Sequence, residues 1–223
     1  MHQPIEPGIL YFGTPVVLVS TVNECGTYNL APMSSAFWLG WRCVLGLATH
    51  SKTTQNIRRT GTCVLNLPSV EQVTAVNHLA LTTGTNPVPA GKRRKGYRFE
   101  PDKFGVASLT PISSDMVTAP RVLECPIQLE ATVEAIHGLA EDNSVERGAL
   151  VSIELRVLRI HAEESLLTQG RRDHIDPDKW RPIIMSFQNF YGLGPQLRES
   201  RLATIPESLY RRQALDGSQP ELT

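Results

Sequence analysis

The residues best suited to do chemistry lie in one short run, His50-Ser51-Lys52-Thr53-Thr54-Gln55-Asn56-Ile57. The run follows an apolar segment that reads as a strand, and it opens a stretch that reads as a helix with Ser51 as N-cap. The first N–H groups of a helix have no partner inside it, and with the helix dipole behind them they attract an anion. Thr53 and Thr54 add hydroxyl donors in the first turn, and Lys52 adds a positive charge. Thr54 occupies the third helical position, where a capping box would place Glu or Gln, so no carboxylate there repels an anion. Two readings are open at this point: a phosphate-binding helix start, and a short helix that is simply well capped.

Upstream, Asn29-Leu30-Ala31-Pro32-Met33-Ser34-Ser35 is a second segment of interest. Its small residues let backbone approach a flat ring, and Asn29, Ser34 and Ser35 can hydrogen-bond ring heteroatoms. Read alone, it is also a plain turn containing a proline.

These segments need strands to hold them. Residues 14–22 (TPVVLVSTV) are β-branched and apolar, and Asn23-Glu24-Cys25-Gly26 turns them back into residues 27–29 as a hairpin. Residues 42–49 and 62–67 have the composition of buried strands, with a helix over 51–60 between them that Gly61 stops. A second helix is expected over about residues 70–81, capped by Ser69, and residues 82–103 read as a basic, Gly- and Pro-rich loop. Two long strands follow, 122–136 and 149–161, connected through 138–148. Alternation in Ile127, Leu129, Ala131 and Val133, and in Val151, Ile153, Leu155 and Val157, gives each one buried face. The rest, with Trp180, Phe187, Phe190 and Tyr191, is irregular and ends in a polar tail after about Arg212. The pattern predicts a mainly β protein, a barrel or sandwich, with residues 1–223 as one domain carrying an irregular C-terminal extension. Apolar strand faces left over by such a barrel suit a homodimer.

The composition narrows the function classes. With 22 basic and 22 acidic residues the formal net charge is zero, so the bulk attraction of nucleic-acid and acidic-membrane binders is missing. No run approaches the roughly 20 apolar residues of a membrane span. The opening Met-His-Gln-Pro-Ile-Glu-Pro does not read as a secretory signal, so a cytoplasmic protein is expected. Cys25, Cys43, Cys63 and Cys125 show no Cys-x-x-Cys pair, and the six histidines no ligand spacing, so neither a disulfide framework nor a metal site is expected. The basic run Lys92-Arg93-Arg94-Lys95, with Arg98 nearby, reads as a solvated loop; the competing reading is a landing site for the adenosine phosphates of a pyridine nucleotide. Asp173, Asp176 and Asp178 read as turn formers, and Trp38 and Trp41 as core or dimer packing.

In order along the chain, these pieces resemble the flavin reductase-like family of FMN-binding split barrels. The resemblance is carried by residues 15–21 (PVVLVST) with Gly26, by Asn29-Leu30-Ala31-Pro32-x-Ser34, by Ser51-Lys52-Thr53-Thr54-x-x-Ile57 and by Val64-Leu65-Asn66-Leu67. Lys103-Phe104, Leu109-Thr110-Pro111, Leu123-Glu124-Cys125-Pro126, Trp180-Arg181-Pro182, Tyr191 and Leu193-Gly194 extend it over most of the chain. The resemblance implies a mainly β, split β-barrel fold with a few short helices, and FMN as cofactor. By the same resemblance, Asn29, Leu30, Ala31, Ser34 and Ser35 would line the isoalloxazine ring. Ser51, Lys52, Thr53, Thr54 and Asn56 would hold the ribityl phosphate, and His161 and Tyr191 stand where relatives place ring or substrate contacts. Several relatives carry arginine where this chain has Ser51 or Lys52, which leaves the charge partner open. The implied activity is hydride transfer from NADH or NADPH to flavin, with a partner monooxygenase or redox protein as the implied recipient of electrons. A flavin supplies that chemistry itself, so no catalytic triad is expected. The alternatives are an FMN-carrying electron-transfer protein of flavoredoxin type, and a barrel binding some other phosphate-bearing ligand without redox chemistry.

Overall fold

Hydrophobic alternation at a period of two decides most of the secondary structure. The computed structural model describes residues 1–210, and the polar tail expected after Arg212 lies outside them. Its strands and helices are β1 (Phe12–Pro15), β2 (Val17–Val22), β3 (Tyr28–Met33), β4 (Ala36–Leu39), β5 (Arg42–Ala48), α1 (Lys52–Thr60), β6 (Thr62–Leu67), α2 (Val73–Leu79), β7 (Thr82–Thr83), α3 (Ala90–Arg94), β8 (Arg98–Phe99), α4 (Lys103–Ala107), β9 (Pro111–Ile112), β10 (Arg121–Val122), β11 (Ile127–Gly138), β12 (Leu150–Ala162), β13 (Ile183–Ser186) and β14 (Asn189–Gly192). The chain divides into two compact units, Met1–Leu193 and Gly194–Thr223. The described part of the second unit has two short 3-10 turns, Arg201–Thr204 and Glu207–Leu209. Among the described residues no helix is long and apolar enough to cross a membrane.

The main sheet has seven strands in the order β3-β2-β6-β11-β12-β5-β4, paired antiparallel throughout. Its edge strands β3 and β4 are neighbours in sequence, separated only by Ser34 and Ser35. The three steps from Met33 to Ala36 span at most about 11 Å. The edges of a flat seven-stranded sheet would stand about 29 Å apart. The sheet is therefore rolled, and the expected barrel follows from connectivity alone.

Rolling gives the sheet an inner and an outer face. Val17, Val19, Cys43, Leu45, Leu47, Leu65, Leu129, Ile153 and Leu155 pack inside, with Ile57 of α1 joining them. The alternation read from β11 and β12 thus marks the inner face, although two β-bulges, between Glu130 and Ala131 and between Val133 and Ala135, shift its register. Val16, Leu18 and Leu30 face the other way and are covered by Val76, Leu79, Phe104, Ala107, Leu109, Val122 and Cys125. Cys43, Cys63 and Cys125 are buried, and desolvation pushes the Cys43 thiol up to about 12.

The boundaries differ from the sequence reading where a local device intervenes. The run over residues 14–22 breaks at Val16, whose N–H bonds the Ile183 carbonyl at 2.8 Å; β1 then pairs with β13 and β2 with β3 and β6. The helix expected over 70–81 begins as a 3-10 turn at Val70–Gln72, because Ser69 and Gln72 form a capping box ahead of α2. Residues 82–103 hold α3 and a parallel β7–β8 bridge where only a loop was expected. The strand expected from residue 122 starts at Ile127; Pro126 has no N–H for the ladder, and residues 121–122 pair with β9 instead.

One buried side chain fastens the cover over the outer face. Asn66, fully buried, donates to the Leu18 carbonyl at 3.0 Å and to Ser20 Oγ at 3.1 Å, and accepts from the Val122 N–H at 2.8 Å. Ser20 Oγ in turn donates to the Pro120 carbonyl. Replacing Asn66 with leucine keeps the volume and orphans these groups. Asn66→Leu is expected to lower the unfolding free energy by about 2–4 kcal/mol, read by urea denaturation.

Candidate functional site

The helix predicted over 51–60 forms as α1, with its signals read as expected. Ser51 is the N-cap: its Oγ accepts from the Thr54 N–H at 3.1 Å, and Gly61 ends the helix in the left-handed conformation at φ 69°. Thr54 is fully buried and serves this turn, its hydroxyl donating to the Ala48 carbonyl at 2.9 Å. The Ser51 N–H goes to the same carbonyl at 3.0 Å, and the Gln55 N–H to the Ser51 carbonyl at 3.0 Å. Among the described residues this leaves the N–H groups of Lys52 and Thr53 without a partner at the positive end of the helix. The first turn holds no acidic residue.

A buried polar network fixes this helix end against the barrel. Asn29 Nδ2 donates to Thr53 Oγ1 at 3.1 Å and to Thr21 Oγ1 at 3.3 Å. Asn56 Nδ2 donates to the same Thr21 Oγ1 at 3.0 Å and to Asn23 Oδ1 at 2.9 Å. Both N–H groups of each amide are thereby spent inside the protein. Asn56 is a positioning residue, and Asn29 keeps only its Oδ1 to offer.

Strand β5 links the two candidate segments. At Gly46 its N–H bonds the Ser35 carbonyl at 2.8 Å, and a Cβ placed there would meet Ser35 Cβ at 3.1 Å, so the glycine permits the approach. Two residues later, about 7 Å along the strand, the Ala48 carbonyl receives Ser51 and Thr54. The Ser34–Ser35 link and the start of α1 are thus held at the two ends of one short stretch of strand.

The remaining expected residues lie elsewhere. Ala31 shares a face of β3 with Asn29, whereas Leu30 points to the opposite face and is fully buried in the outer core, so only its main chain is available. His161 stands opposite Gln128 on the long hairpin, and its Nε2 lies 2.7 Å from Glu130 Oε1. Burial would raise the Glu130 carboxyl, but the N–H groups of Asp115 and Met116 and the His161 ring outweigh it and hold it below the usual range. Asp115, Glu130 and His161 lie close enough to share a metal ion, a cluster the spacing of the histidines did not reveal. Arg159, 2.6 Å from Asp115, and Arg121, 4.0 Å from Glu130, already supply the balancing positive charge. Tyr191 lies on β14 in a separate three-stranded sheet and is exposed.

The structure adds residues that the sequence did not single out. A cleft of about 250 Å³ opens beside the start of α1, lined by Asn29, Lys52, Gly84 and Lys103 with the rings of Tyr28 and Phe99. A Cβ on Gly84 would meet Asn29 Oδ1 at 2.7 Å and Lys52 Cγ at 3.0 Å. Lys103, 3% exposed, reaches among the described residues only the Leu30 carbonyl, at 3.4 Å. Desolvation lowers its ammonium to about 8, with Lys92 adding to the effect and Glu100 opposing it. Lys92 is not the solvated side chain expected: it donates to Thr83 Oγ1 at 3.2 Å and lies over the Tyr97 ring. Its neighbours Arg93, Arg94 and Lys95 are exposed, as expected. Among the described residues, the buried side-chain donors without a hydrogen-bond partner include Trp38 Nε1 just past the Ser34–Ser35 link, Thr49 Oγ1 just before α1 and Thr85 Oγ1 beside Gly84.

The chain has clear relatives. The family profile described as "Flavin reductase like domain" matches residues 9–181. A Bacillus subtilis (strain 168) protein, "Uncharacterized protein YdfE", is 37% identical over 195 residues, covering 87% of this chain and 91% of its own. Flavoredoxin of Desulfovibrio vulgaris (Miyazaki F) superposes with a TM-score of 0.72 at 21% identity, over 91% of this chain and 99% of its own. Nitrilotriacetate monooxygenase component B from Bacillus cereus does so with a TM-score of 0.68 at 23% identity, over 84% and 88%. The mainly β architecture is the split barrel that the sequence suggested.

Two measurements check this geometry. Asn56→Ala removes both donors from Thr21 and Asn23, and is expected to cost about 1–3 kcal/mol of stability in chemical denaturation. Lys103 titrates near 8 when folded, below its ordinary 10.5, so the unfolded chain binds more protons between those values. Its destabilising effect is complete below about pH 8 and fades as pH rises toward 10.5. Measured against Lys103→Met, the native protein should therefore gain on the order of 2 kcal/mol between pH 7.5 and 10.

Proposed function

Given that the chain belongs to the flavin reductase-like family, we propose that it binds FMN at the start of α1 and works as an oxidoreductase taking hydride from NADH or NADPH. The observation that carries this reading is the helix end itself: two free N–H groups, the Lys52 ammonium and no acidic residue in the first turn. The orphaned Thr49 and Thr85 hydroxyls beside it fit a ligand rich in acceptor oxygens, because buried donors ordinarily find partners.

In this reading Ser51 shapes the turn, and the N–H groups of Lys52 and Thr53 hold the phosphate. Thr21, Asn29 and Asn56 keep that end rigid. The Ser34–Ser35 link and Ala31 offer small side chains and main chain to the ring, and the Trp38 indole N–H is a spare donor on the strand that follows. Bound FMN supplies the hydride-accepting centre; the protein's part is to orient it and to place donors where reduction adds charge. His161, beside Glu130 on β12 of the main sheet, and Tyr191, exposed on a separate sheet, would serve as ring or substrate contacts.

Exposed Phe37, Leu39 and Trp41 on and beside edge strand β4 suit contact with a second copy, and we infer a homodimer built there. Electrons would pass to a partner monooxygenase or redox protein. A cytoplasmic setting would keep the four unpaired cysteines reduced. The second reading, an FMN electron carrier without nicotinamide turnover, draws on the likeness in fold to flavoredoxin.

The purified protein, reconstituted with FMN, is expected to show flavin absorption that bleaches when NADH or NADPH is added without oxygen. Bleaching only with dithionite would leave the carrier, and failure to take up FMN would remove both readings. Gly84→Val should raise the FMN Kd by about tenfold or more, because its side chain displaces Asn29 and Lys52.

A further inference from the structure

The chain balances its charges overall but not locally. Residues 72–99 contain no Asp or Glu, yet they carry Lys92, Arg93, Arg94, Lys95 and Arg98 together with His78. Folding leaves most of that charge on the surface. Lys92 is taken up by Thr83 and the Tyr97 ring, which fastens α3 to β7. Arg93, Arg94, Lys95 and Arg98 are exposed, and among the described residues they make no ion pair. Arg98 carries the patch toward α2, where it lines a shallow hollow with Asn77 and His78.

An apolar residue beside this charge is held under strain. After α2 the chain turns tightly, with Ala80 at φ −57° and ψ 144° and Leu81 at φ 56°. Such a turn ordinarily carries Gly or Asn where Leu81 stands, because a Cβ is crowded at positive φ. Leu81 is nevertheless 49% exposed, so burial of its side chain does not explain its presence there. Its carbonyl accepts from the Arg98 N–H at 2.9 Å, which sets it next to the basic residues. Strained backbone beneath an exposed apolar side chain is a feature of surfaces that make contact.

The layout selects the kind of partner. Arg93, Arg94 and Lys95 are consecutive, and successive helical positions point about 100° apart, so the three do not converge on a single phosphate. None of them lines the cleft beside α1. Dispersed cations beside an exposed Leu81 match a broad face carrying dispersed carboxylates, and arginine is enriched where proteins meet. The patch also borders the cleft: Thr83 pairs with Phe99, and Phe99 and Gly84 line its wall.

We propose that the end of α3, with Arg98 and Leu81, is the docking surface for an acidic redox protein that takes electrons from flavin bound in the adjoining cleft. The proposal rests on the flavin reading of that cleft, and it adds where the partner sits and what charge it carries. With a partner that holds a one-electron iron centre, FMNH2 reduces two partner molecules in turn, one electron each. It returns to oxidised FMN and releases two protons to water.

The test loads the protein with FMN, reduces it with one equivalent of dithionite without oxygen, and mixes it with an acceptor. Rubredoxin, a small acidic iron protein, is the probe, and cytochrome c, a basic haem protein, is the contrast. Wild-type transfer to rubredoxin is expected to slow about tenfold or more between about 20 mM and 500 mM NaCl. Combining Arg93→Glu, Arg94→Glu and Lys95→Glu should slow it about tenfold or more at low salt, without slowing transfer to cytochrome c. The same variant should keep its FMN Kd and its unfolding temperature, because these side chains are exposed and unpaired. Leu81→Asn should slow rubredoxin about threefold and unfold at an equal or higher temperature, since Asn accepts positive φ. Equal rubredoxin rates in wild type and the charge-reversed variant, indifference to salt, or equal slowing with both acceptors would overturn the docking surface while leaving flavin binding intact. A loss confined to NADPH oxidation would overturn it too, assigning the patch to the 2′-phosphate of that nucleotide. A wild type that takes up no FMN would sink both this surface and the function it rests on.

Discussion

Because β3 and β4, the two edges of the seven-stranded sheet, are joined through Ser34 and Ser35 alone, the sheet cannot lie flat. The rest of the architecture follows from that short link. Rolling sends Val19, Leu45, Leu65, Leu129 and Ile153 into one interior and turns Leu18, Leu30 and Val64 outward, where helices and the segment around Val122 must cover them. The link itself becomes a fixed feature, pressed against β5 at Gly46, and β5 carries the chain directly into α1. The closure that makes the barrel thus also sets the spacing between the two segments read as a ring site and a phosphate site.

The start of α1 shows how specificity is divided between groups that hold and groups that offer. The Thr54 hydroxyl and the side-chain amide N–H groups of Asn29 and Asn56 are consumed internally. What remains unspent is main chain, the N–H groups of Lys52 and Thr53, together with lysine side chains and orphaned threonine hydroxyls. A network whose members are all satisfied is rigid, and a rigid frame lets a few unsatisfied donors keep their aim. Lys103, in the same cleft, shows the electrostatic cost of burial: desolvation disfavours its charge and lowers its ammonium to about 8.

The split between faces explains why neighbouring residues in one motif part company. Asn29 and Leu30 are adjacent in sequence, yet a strand alternates its side chains, and one joins the α1 network while the other is sealed under α2 and α4. His161 follows the same rule from β12, meeting Glu130 rather than the helix start. A motif read as a string of ligands is, on a strand, two sets of residues with different neighbours.

Local signals therefore carried the sequence reading a long way. Ser51 and Gly61 bracket α1 as a cap and a stop because each acts within a few residues, and the alternation of β11 and β12 reports a buried face because it is a property of the strand itself. The sequence by itself determined the mainly β class, the capped helix start without an acid, and the family. Only the tertiary structure decided that Asn56 is spent on Thr21, that Leu30 and Asn29 face apart, and that Lys103 and Gly84 reach the same cleft as Lys52. The physical reason is range. Caps, turns and periodicity act over a handful of residues, whereas burial, pairing of charges and the making of a cleft depend on which distant segments the rolled sheet brings into contact.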